Sequence, residues 1–193
     1  MTATQPSLFD QLETKAQKRE YAKRVTHGGE SAKGKRKLRR PLATEKWIHL
    51  ILKSDKAFGR YSMLSQKNAS YVDRIVIEKA RKFRIELKEF VNMGNHIHFQ
   101  IRLKRREDFQ NFLRSISSLI ARFVAGAKKG KAFGRFWQAL AFTRVIQTGL
   151  EIMGVEGYLL GNKIEKRHGY EAREVYLRAF SRWLKGFKVA RTH

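Results

Sequence analysis

The sequence contains no cysteine and only two prolines among its 193 residues. Without cysteine the chain can form neither a disulfide nor a thiolate metal site, which is typical of proteins in the reducing cytoplasm, where we expect it. No stretch approaches the roughly 18 consecutive apolar residues of a membrane span, and the N-terminus lacks the charged-then-apolar pattern of a signal segment. We therefore expect no membrane partner.

Acidic residues are also scarce, because 17 Asp and Glu stand against 42 Lys and Arg, for a formal net charge of +25. The isoelectric point is near 10.7. A compact protein with this charge repels itself, and the excess is typical of proteins that bind a polyanion. Since the sequence offers no apolar segment for a membrane, nucleic acid is the predicted partner. The length allows one domain of about 150 residues with tails.

Residues 1–40 are predicted to form a basic arm that is disordered until it meets phosphate. Gly28-Gly29 breaks the chain, and Pro41 marks the boundary of the folded part. A block of this charge cannot bury enough apolar surface to fold alone, but it releases counterions when it contacts nucleic acid. The alternative is a solvated tail that only aids solubility. Six cations within eight positions carry the prediction: Lys33, Lys35, Arg36, Lys37, Arg39 and Arg40.

The hydrophobic pattern after the arm predicts an α+β fold. Apolar residues alternate in the strands and recur at three-and-four spacing in the helices. The order strand, helix, strand, strand, helix, strand, helix is that of a ferredoxin-like antiparallel sheet with helices. A domain over 41–168 and a C-terminal amphipathic helix within 169–193 follow. The strands are expected at 45–53, 84–92, 96–104 and 136–146, and the helices at 69–83, from 107, at 150–166 and at 171–187. A basic loop over 126–134 carries Lys128, Lys129 and Lys131.

The most informative segment is Asn95-His96-Ile97-His98, at the start of a predicted strand. Successive strand residues point to opposite faces, so the two histidines share one face. Paired neutral imidazoles suit a divalent ion. The alternative is an amphipathic strand whose polar face happens to carry two histidines. The polar row comprises His96, His98, Gln100 and Arg102, and the apolar row Ile97, Phe99, Ile101 and Leu103.

A second candidate constellation lies on the last core helix. Tyr158 and Asn162 are four residues apart, which places both on one side of a helix. The Asn162 oxygen could complete a two-histidine metal site, and the Tyr158 phenol could act as a nucleophile. The alternative is a buried tyrosine and a capping asparagine in an ordinary helix.

These motifs together resemble a known family. The run Met93–Phe99 is similar to the signature of HUH endonucleases, and more closely to that of single-tyrosine transposases, whose usual form is Met-Pro-Asn-His-Val-His; Gly94 replaces the proline. The branch of REP-associated tyrosine transposases is the most similar. Three more stretches match it in order: His27-Gly28-Gly29 before Trp47–Leu50, Gly134–Gln138 before Arg144–Ile146, and Tyr158–Lys163 before Lys166–His168.

The resemblance implies a metal-assisted single-stranded DNA endonuclease and strand transferase. His96, His98 and Asn162 would bind Mg²⁺ or Mn²⁺, and Tyr158 would form a 5′-phosphotyrosine and free a 3′-OH. The partner would be single-stranded or hairpin DNA, and the protein a monomer or homodimer. His49 would lie one strand over from the pair, as a DNA contact or a support for the metal site, or as a plain strand histidine. Arg102 and Lys163 are further candidates for DNA contact.

Two other functions stay open. A domesticated, non-catalytic protein would bind nucleic acid through the basic arm and through aromatic residues such as Phe136 and Trp137, which can stack on bases. A structural RNA-binding protein of ribosomal type would explain the charge and the size. The ribosomal-type function gives no reason for the histidine pair and Tyr158 to occur together.

Overall fold

The computed structural model describes residues 14–32, 34, 39–127 and 133–189. The chain divides into two compact units. Arg24–Val145 form the first, which contains all five strands and is called the sheet unit. The described residues up to Lys23 and from Ile146 onward form the second, called the helical unit.

The helices and strands alternate along the chain. The helices are α1 (Lys15–Val25), α2 (Ala69–Lys82), α3 (Arg106–Ala125), α4 (Gly149–His168) and α5 (Tyr170–Val189). The strands are β1 (Thr26–His27), β2 (Trp47–Lys53), β3 (Glu86–Asn92), β4 (His96–Arg102) and β5 (Phe142–Val145). Within the described ranges, no helix is long and apolar enough to span a membrane.

The five strands form one sheet in the order β1-β5-β2-β4-β3, and all neighbours are antiparallel. The predicted α+β fold with a ferredoxin-like antiparallel sheet is therefore confirmed, with β1 as an additional edge strand. The alternation along β2 and β4 separates two faces. The helix-covered face packs against α3, where the Phe99 and Phe112 rings meet edge-on at 6.3 Å. It carries Ile48, Leu50, Leu52, Ile97, Phe99 and Ile101, all nearly or fully buried.

The opposite face of the sheet carries polar side chains and is called the histidine face. Its members on β2 pair across the ladder with its members on β4. The face includes Trp47, His49, Ile51, Lys53, His96, His98, Gln100 and Arg102.

Hydrogen bonds hold the turn that leads into β4. Asn92 donates from Nδ2 to the Met63 carbonyl at 2.8 Å and accepts at Oδ1 from the Gly94 amide at 3.0 Å. Gly94 has a φ of 90°, a left-handed conformation that glycine adopts freely. Proline, the residue usual in the similar family motif, has φ fixed near −65° and cannot take this conformation. The turn is thus built on glycine and on the Asn92 amide.

The predicted disordered arm over residues 1–40 is wrong for part of its length, because α1 and β1 lie within it. Tyr21 and Val25 of α1 are buried. The Tyr21 hydroxyl donates to the Glu151 carboxylate at 3.2 Å within the helical unit, and β1 pairs with β5. Tertiary partners distant in sequence order this segment, although its own apolar content is low.

The predicted strand over 136–146 shortens to Phe142–Val145. The preceding residues leave the ladder because their backbone and side chains bind elsewhere. The Phe136 carbonyl accepts from the Ser54 hydroxyl at 2.6 Å, and the Trp137 indole donates to the Ser117 carbonyl at 2.9 Å. The other predicted elements agree with the observed ones to within about three residues at each end.

The helical unit brings α4 and α5 close together through two glycines. A Cβ atom at Gly157 would lie 2.2 Å from the Phe180 ring, and one at Gly161 would lie 2.9 Å from Leu177. Because α4 shares a compact unit with α5, the division differs from the predicted one, which joined residues up to 168 to the sheet. The boundary between the units falls after Val145, before α4 begins.

Candidate functional site

The histidine pair lies at the start of β4, on the histidine face as predicted. The His96 and His98 ring centroids are 4.7 Å apart, with the rings nearly perpendicular at 85°. His96 is half-buried, and His98 is only 2% exposed. The two imidazoles are therefore close enough for both to approach one ion.

His49 of β2 lies beside this pair, in the position predicted from the sequence. Its Nε2 is 3.1 Å from Nδ1 of His98, and the two rings stack with centroids 5.3 Å apart. Burial, and secondarily the charge of Arg144 on β5, lower the pKa of His49 to about 4. His49 is therefore a neutral imidazole at neutral pH, which can accept one hydrogen bond and donate another.

Partners at Nδ1 suit both histidines of the pair to metal binding. Nδ1 of His96 contacts Oδ1 of Asn95, which accepts a hydrogen bond, and Nδ1 of His98 contacts the neutral His49. A donating Nδ1–H leaves the lone pair of each ring on Nε2, the atom that would bind a metal. Such outer partners are the usual support of metal-binding histidines. The donor set thus fits a divalent cation.

Among the residues that the structure describes, no group of three or more His, Cys, Asp or Glu side chains is arranged to hold a metal ion. A third ligand to an ion at the histidine pair would then be a neutral oxygen, such as that of an asparagine side chain. Oxygen ligands suit Mg²⁺ and Mn²⁺.

Arg102 lies at the other end of β4, and its charge is already paired. Its guanidinium donates two hydrogen bonds to the Glu86 carboxylate, at 2.7 and 2.9 Å, and lies 5.0 Å from the centre of the Trp47 ring. Both partners belong to neighbouring strands. Arg102 thus links three strands of the sheet, and its contact with DNA stays a prediction.

Four arginines line a cavity of about 560 Å³ at the beginning of α3, which we call the arginine cavity. Arg40 donates to the Ala141 carbonyl and to the Thr143 hydroxyl, at 2.8 and 2.7 Å. Thr143 pairs with Leu50, so the cavity lies on the helix-covered side of the sheet. Burial lowers the pKa of Arg40 to about 10. The four residues are Arg39, Arg40, Arg106 and Arg114.

None of these four arginines forms an ion pair with a carboxylate of the described residues, although Glu107 also lines the cavity. Arg106 instead donates to the carbonyls of Arg40 and Leu42. The cavity therefore holds a concentration of positive charge that an anion can neutralise. Sequence reasoning identified Arg39 and Arg40 but missed Arg106 and Arg114, whose spacing of two helical turns along one face was the available signal.

Tyr158 and Asn162 both lie within α4, in the helical unit. Tyr158 is half-buried, and the Arg173 guanidinium of α5 lies 5.6 Å from the centre of its ring. Asn162 is 2% exposed and stands in the middle of the helix, so the alternative of a capping asparagine is wrong. Its Nδ2 is buried and has no hydrogen-bond partner among the described residues. This nitrogen is a hydrogen-bond donor, so an acceptor would satisfy it, whereas a metal ion would bind the amide oxygen.

Of the remaining predicted DNA contacts, the structure describes only Lys163. Lys163 is half-buried on α4 next to Asn162. The others lie outside the residues that the structure describes: Lys33, Lys35, Arg36, Lys37, Lys128, Lys129 and Lys131.

Comparison with known proteins gives one family and a set of similar structures. The family profile described as transposase IS200-like matches residues 44–158. A solved structure of a REP-associated tyrosine transposase bound to a REP hairpin is similar with a TM-score of 0.54 and 17% identity, over 70% of this chain and 76% of that one. A candidate transposase of Deinococcus radiodurans R1 has a TM-score of 0.40 and 16% identity, over 66% and 98%. No curated protein sequence matches the chain.

Proposed function

The chain belongs to the IS200-like transposase family, and from this premise we propose that it cuts and rejoins single-stranded DNA through a tyrosine nucleophile. The observation that carries the proposal is the histidine pair, which has both rings on one face of β4 and each Nδ1 already occupied by a partner. An amphipathic strand has no need of this arrangement, whereas it is usual for metal-binding histidines.

We propose that His96, His98 and Asn162 hold Mg²⁺ or Mn²⁺. The bound ion would neutralise the charge that develops on the scissile phosphate. His49 and Asn95 would keep the two imidazoles in the ligating tautomer, and the buried Asn162 amide would supply a neutral oxygen. The partners at Nδ1 of His96 and His98 support the histidine part of this proposal, and the resemblance to single-tyrosine transposases supports the choice of Asn162.

Tyr158 is the proposed nucleophile. Its phenolic oxygen would attack the phosphorus and form a Tyr–O–P bond, while the bond from phosphorus to the 3′ oxygen breaks. The tyrosine proton passes to solvent, and the departing 3′ oxygen takes up a proton to become a free 3′-OH. Attack by another 3′-OH reverses these steps and joins a new strand, without ATP because one phosphodiester replaces another.

We propose single-stranded or hairpin DNA as the substrate and the cytoplasm as the place of action. The positive charge of the chain and the arginine cavity support a phosphate-rich partner. A hairpin is favoured over unstructured DNA because a REP-associated tyrosine transposase of similar fold is bound to a REP hairpin. The basic segment that ends at Arg40 would contact the backbone of the same DNA.

Covalent capture tests the proposal. Labelled single-stranded DNA is incubated with the protein and Mn²⁺, and the adduct is detected by denaturing electrophoresis. The wild type should form an adduct, and Tyr158→Phe should form none while its DNA affinity stays within a few-fold, because only a hydroxyl is lost. Tyr170→Phe is the matched control, since Tyr170 is a tyrosine of the same unit and is 61% exposed.

Two results would contradict the proposal. Adducts that survive in Tyr158→Phe would assign the nucleophile to another residue, and a wild type that binds DNA but forms no adduct would be a non-catalytic DNA-binding protein. Mixing Tyr158→Phe with His96→Ala/His98→Ala extends the test to oligomeric state. Restored adduct formation in the mixture indicates a homodimer that shares its sites, and its absence indicates that each chain supplies both the metal ligands and the nucleophile of its own site.

A further inference from the structure

Two of the sequence motifs meet at one cavity of the sheet unit. The Gly29 amide donates to the Leu140 carbonyl at 2.8 Å. A Cβ atom at Gly28 would lie 2.1 Å from the Ala141 carbonyl oxygen, so only glycine permits this close approach. The segment that begins with His27 is thereby held against the chain that follows Gly134–Gln138.

The cavity between these segments has a volume of about 260 Å³ and belongs to the histidine face. Ile51, Leu140 and Phe142 form its apolar walls. Lys53 also lines it and is the direct partner of His96 in the β2–β4 ladder. The cavity therefore lies next to the histidine pair, and it is roomy enough for one planar ring system.

The polar groups of the cavity are two acceptors and one cation. Glu30 accepts at Oε1 from Nε2 of Gln138, and its Oε2 lies 3.6 Å from the Lys53 ammonium. Oε1 of Gln138 is buried and has no hydrogen-bond partner among the described residues. A carboxylate repels phosphate, so the group that enters this cavity is a base and not the DNA backbone. Each carboxylate oxygen retains capacity for a second hydrogen bond.

We propose that this cavity binds a guanine base of the single-stranded DNA beside the cleaved phosphate, an inference that rests on the proposed function. The Watson–Crick edge of guanine offers two adjacent donors, N1–H and the N2 amino group, which match the acceptors of Glu30 and Gln138. Its O6 acceptor matches Lys53. Cytosine and adenine each present one donor group beside a ring-nitrogen acceptor, and thymine presents one donor between two acceptors. The apolar walls accommodate the faces of the ring.

The test uses a pool of single-stranded DNA with randomised sequence, which is bound in the presence of EDTA and recovered for sequencing. The wild type should enrich guanine at one position. Glu30→Gln should lose that enrichment, because the new amide nitrogen is a hydrogen-bond donor and would face the N–H donors of guanine. Inosine at that position lacks only the N2 amino group and should weaken wild-type binding by roughly 5- to 150-fold, the range for one well-formed base contact.

Glu86→Gln is the matched control, because Glu86 is also an exposed carboxylate, paired to a cation on a neighbouring strand of the sheet unit. It should keep the guanine enrichment. The proposal is overturned if no position enriches guanine, or if Glu30→Gln and Glu86→Gln enrich it equally. Since binding in EDTA needs no chemistry, failure here with normal adduct formation rejects the guanine site alone. Loss of adducts with intact guanine enrichment rejects only the catalytic proposal.

Discussion

The two faces of the sheet bury their side chains by different means. On the helix-covered face, Ile48, Leu50 and Phe99 are fully buried and hold together by apolar packing. On the histidine face, His98 and Gln100 are equally inaccessible, at 2% and 0% exposure, but are polar. Packing tolerates small shifts, whereas buried polar groups need specific partners. The helix-covered face therefore stabilises the sheet, and the histidine face carries the proposed metal chemistry.

The largest expected effect separates these two roles on a single strand. His96→Ala/His98→Ala should reduce Mn²⁺-dependent adduct formation by well over the roughly 100-fold that loss of an outer partner costs. Phe99 directly follows His98 on β4 but points to the other face, so Phe99→Ala should instead cost about 3–5 kcal/mol of folding stability. Adduct assays and thermal unfolding of both variants make the comparison. Unfolding of the histidine variant to the same degree would show that both faces are structural.

A smaller effect is expected at His49, which contacts the proposed metal ligand His98 but does not itself bind the metal. His49→Ala should weaken Mn²⁺ binding by about 10- to 100-fold, because His98 loses the partner that fixes its tautomer. His49→Gln, which keeps an acceptor near the original Nε2, should recover part of this loss. Calorimetric titration with Mn²⁺ measures the affinity directly, and DNA binding in EDTA should be the same for all three proteins. Equal Mn²⁺ affinity in His49→Ala would remove His49 from the metal site.

The arginine cavity, on the helix-covered side of the sheet, is expected to affect DNA binding but not the cleavage reaction. Arg39→Ala/Arg114→Ala should weaken DNA binding several-fold and reduce the slope of log affinity against log salt by about 1.4–1.8, or 0.7–0.9 for each lost phosphate contact. Adduct formation at saturating DNA should persist. Arg81→Ala/Lys82→Ala removes two exposed cations from the end of α2 and is the matched control. Identical salt slopes in the two double variants would exclude the cavity as a phosphate site.

The smallest effect is expected at the turn before β4. Gly94→Ala should cost about 1–2 kcal/mol, because the left-handed conformation strains a residue with a Cβ atom. Chemical denaturation measures the loss. Gly126→Ala is a useful reference, since Gly126 also has a positive φ of 63° but its added Cβ would meet no atom of the described residues within 4 Å. Equal losses at the two positions would mean that the Ser62 hydroxyl, 2.8 Å from the added atom, yields without cost.

Local sequence patterns were sufficient to predict which side chains of β2 and of β4 share a face. Alternation with period two predicts which side chains of one strand share a face, and the resemblance to single-tyrosine transposases placed His49 one strand over from His98. The same holds for α2 and α3, whose apolar stripes recur at helical spacing. The resemblance to single-tyrosine transposases added the order of the motifs, which no single pattern supplies.

Features that depend on contacts between residues far apart in the sequence were not predicted. Helix α1 has little apolar surface of its own and becomes ordered through Tyr21 and Val25, whose burial depends on residues far along the chain. The stretch before β5 reads as a strand, but Phe136 and Trp137 bind to Ser54 and Ser117 instead. The arginine cavity gathers residues from the arm and from α3. Composition indicates such positive charge, but only the fold shows where it collects.

The position of β5 between β1 and β2 has a consequence for how the protein is made. Strands β2, β3 and β4 are adjacent in the sheet and leave the ribosome early, so they can pair while synthesis continues. Strand β1 must wait for β5, a partner far later in the chain, and pairings of such long separation form slowly. Tyr158 is translated after β5. The nascent chain therefore holds every residue of the sheet before it possesses its proposed nucleophile.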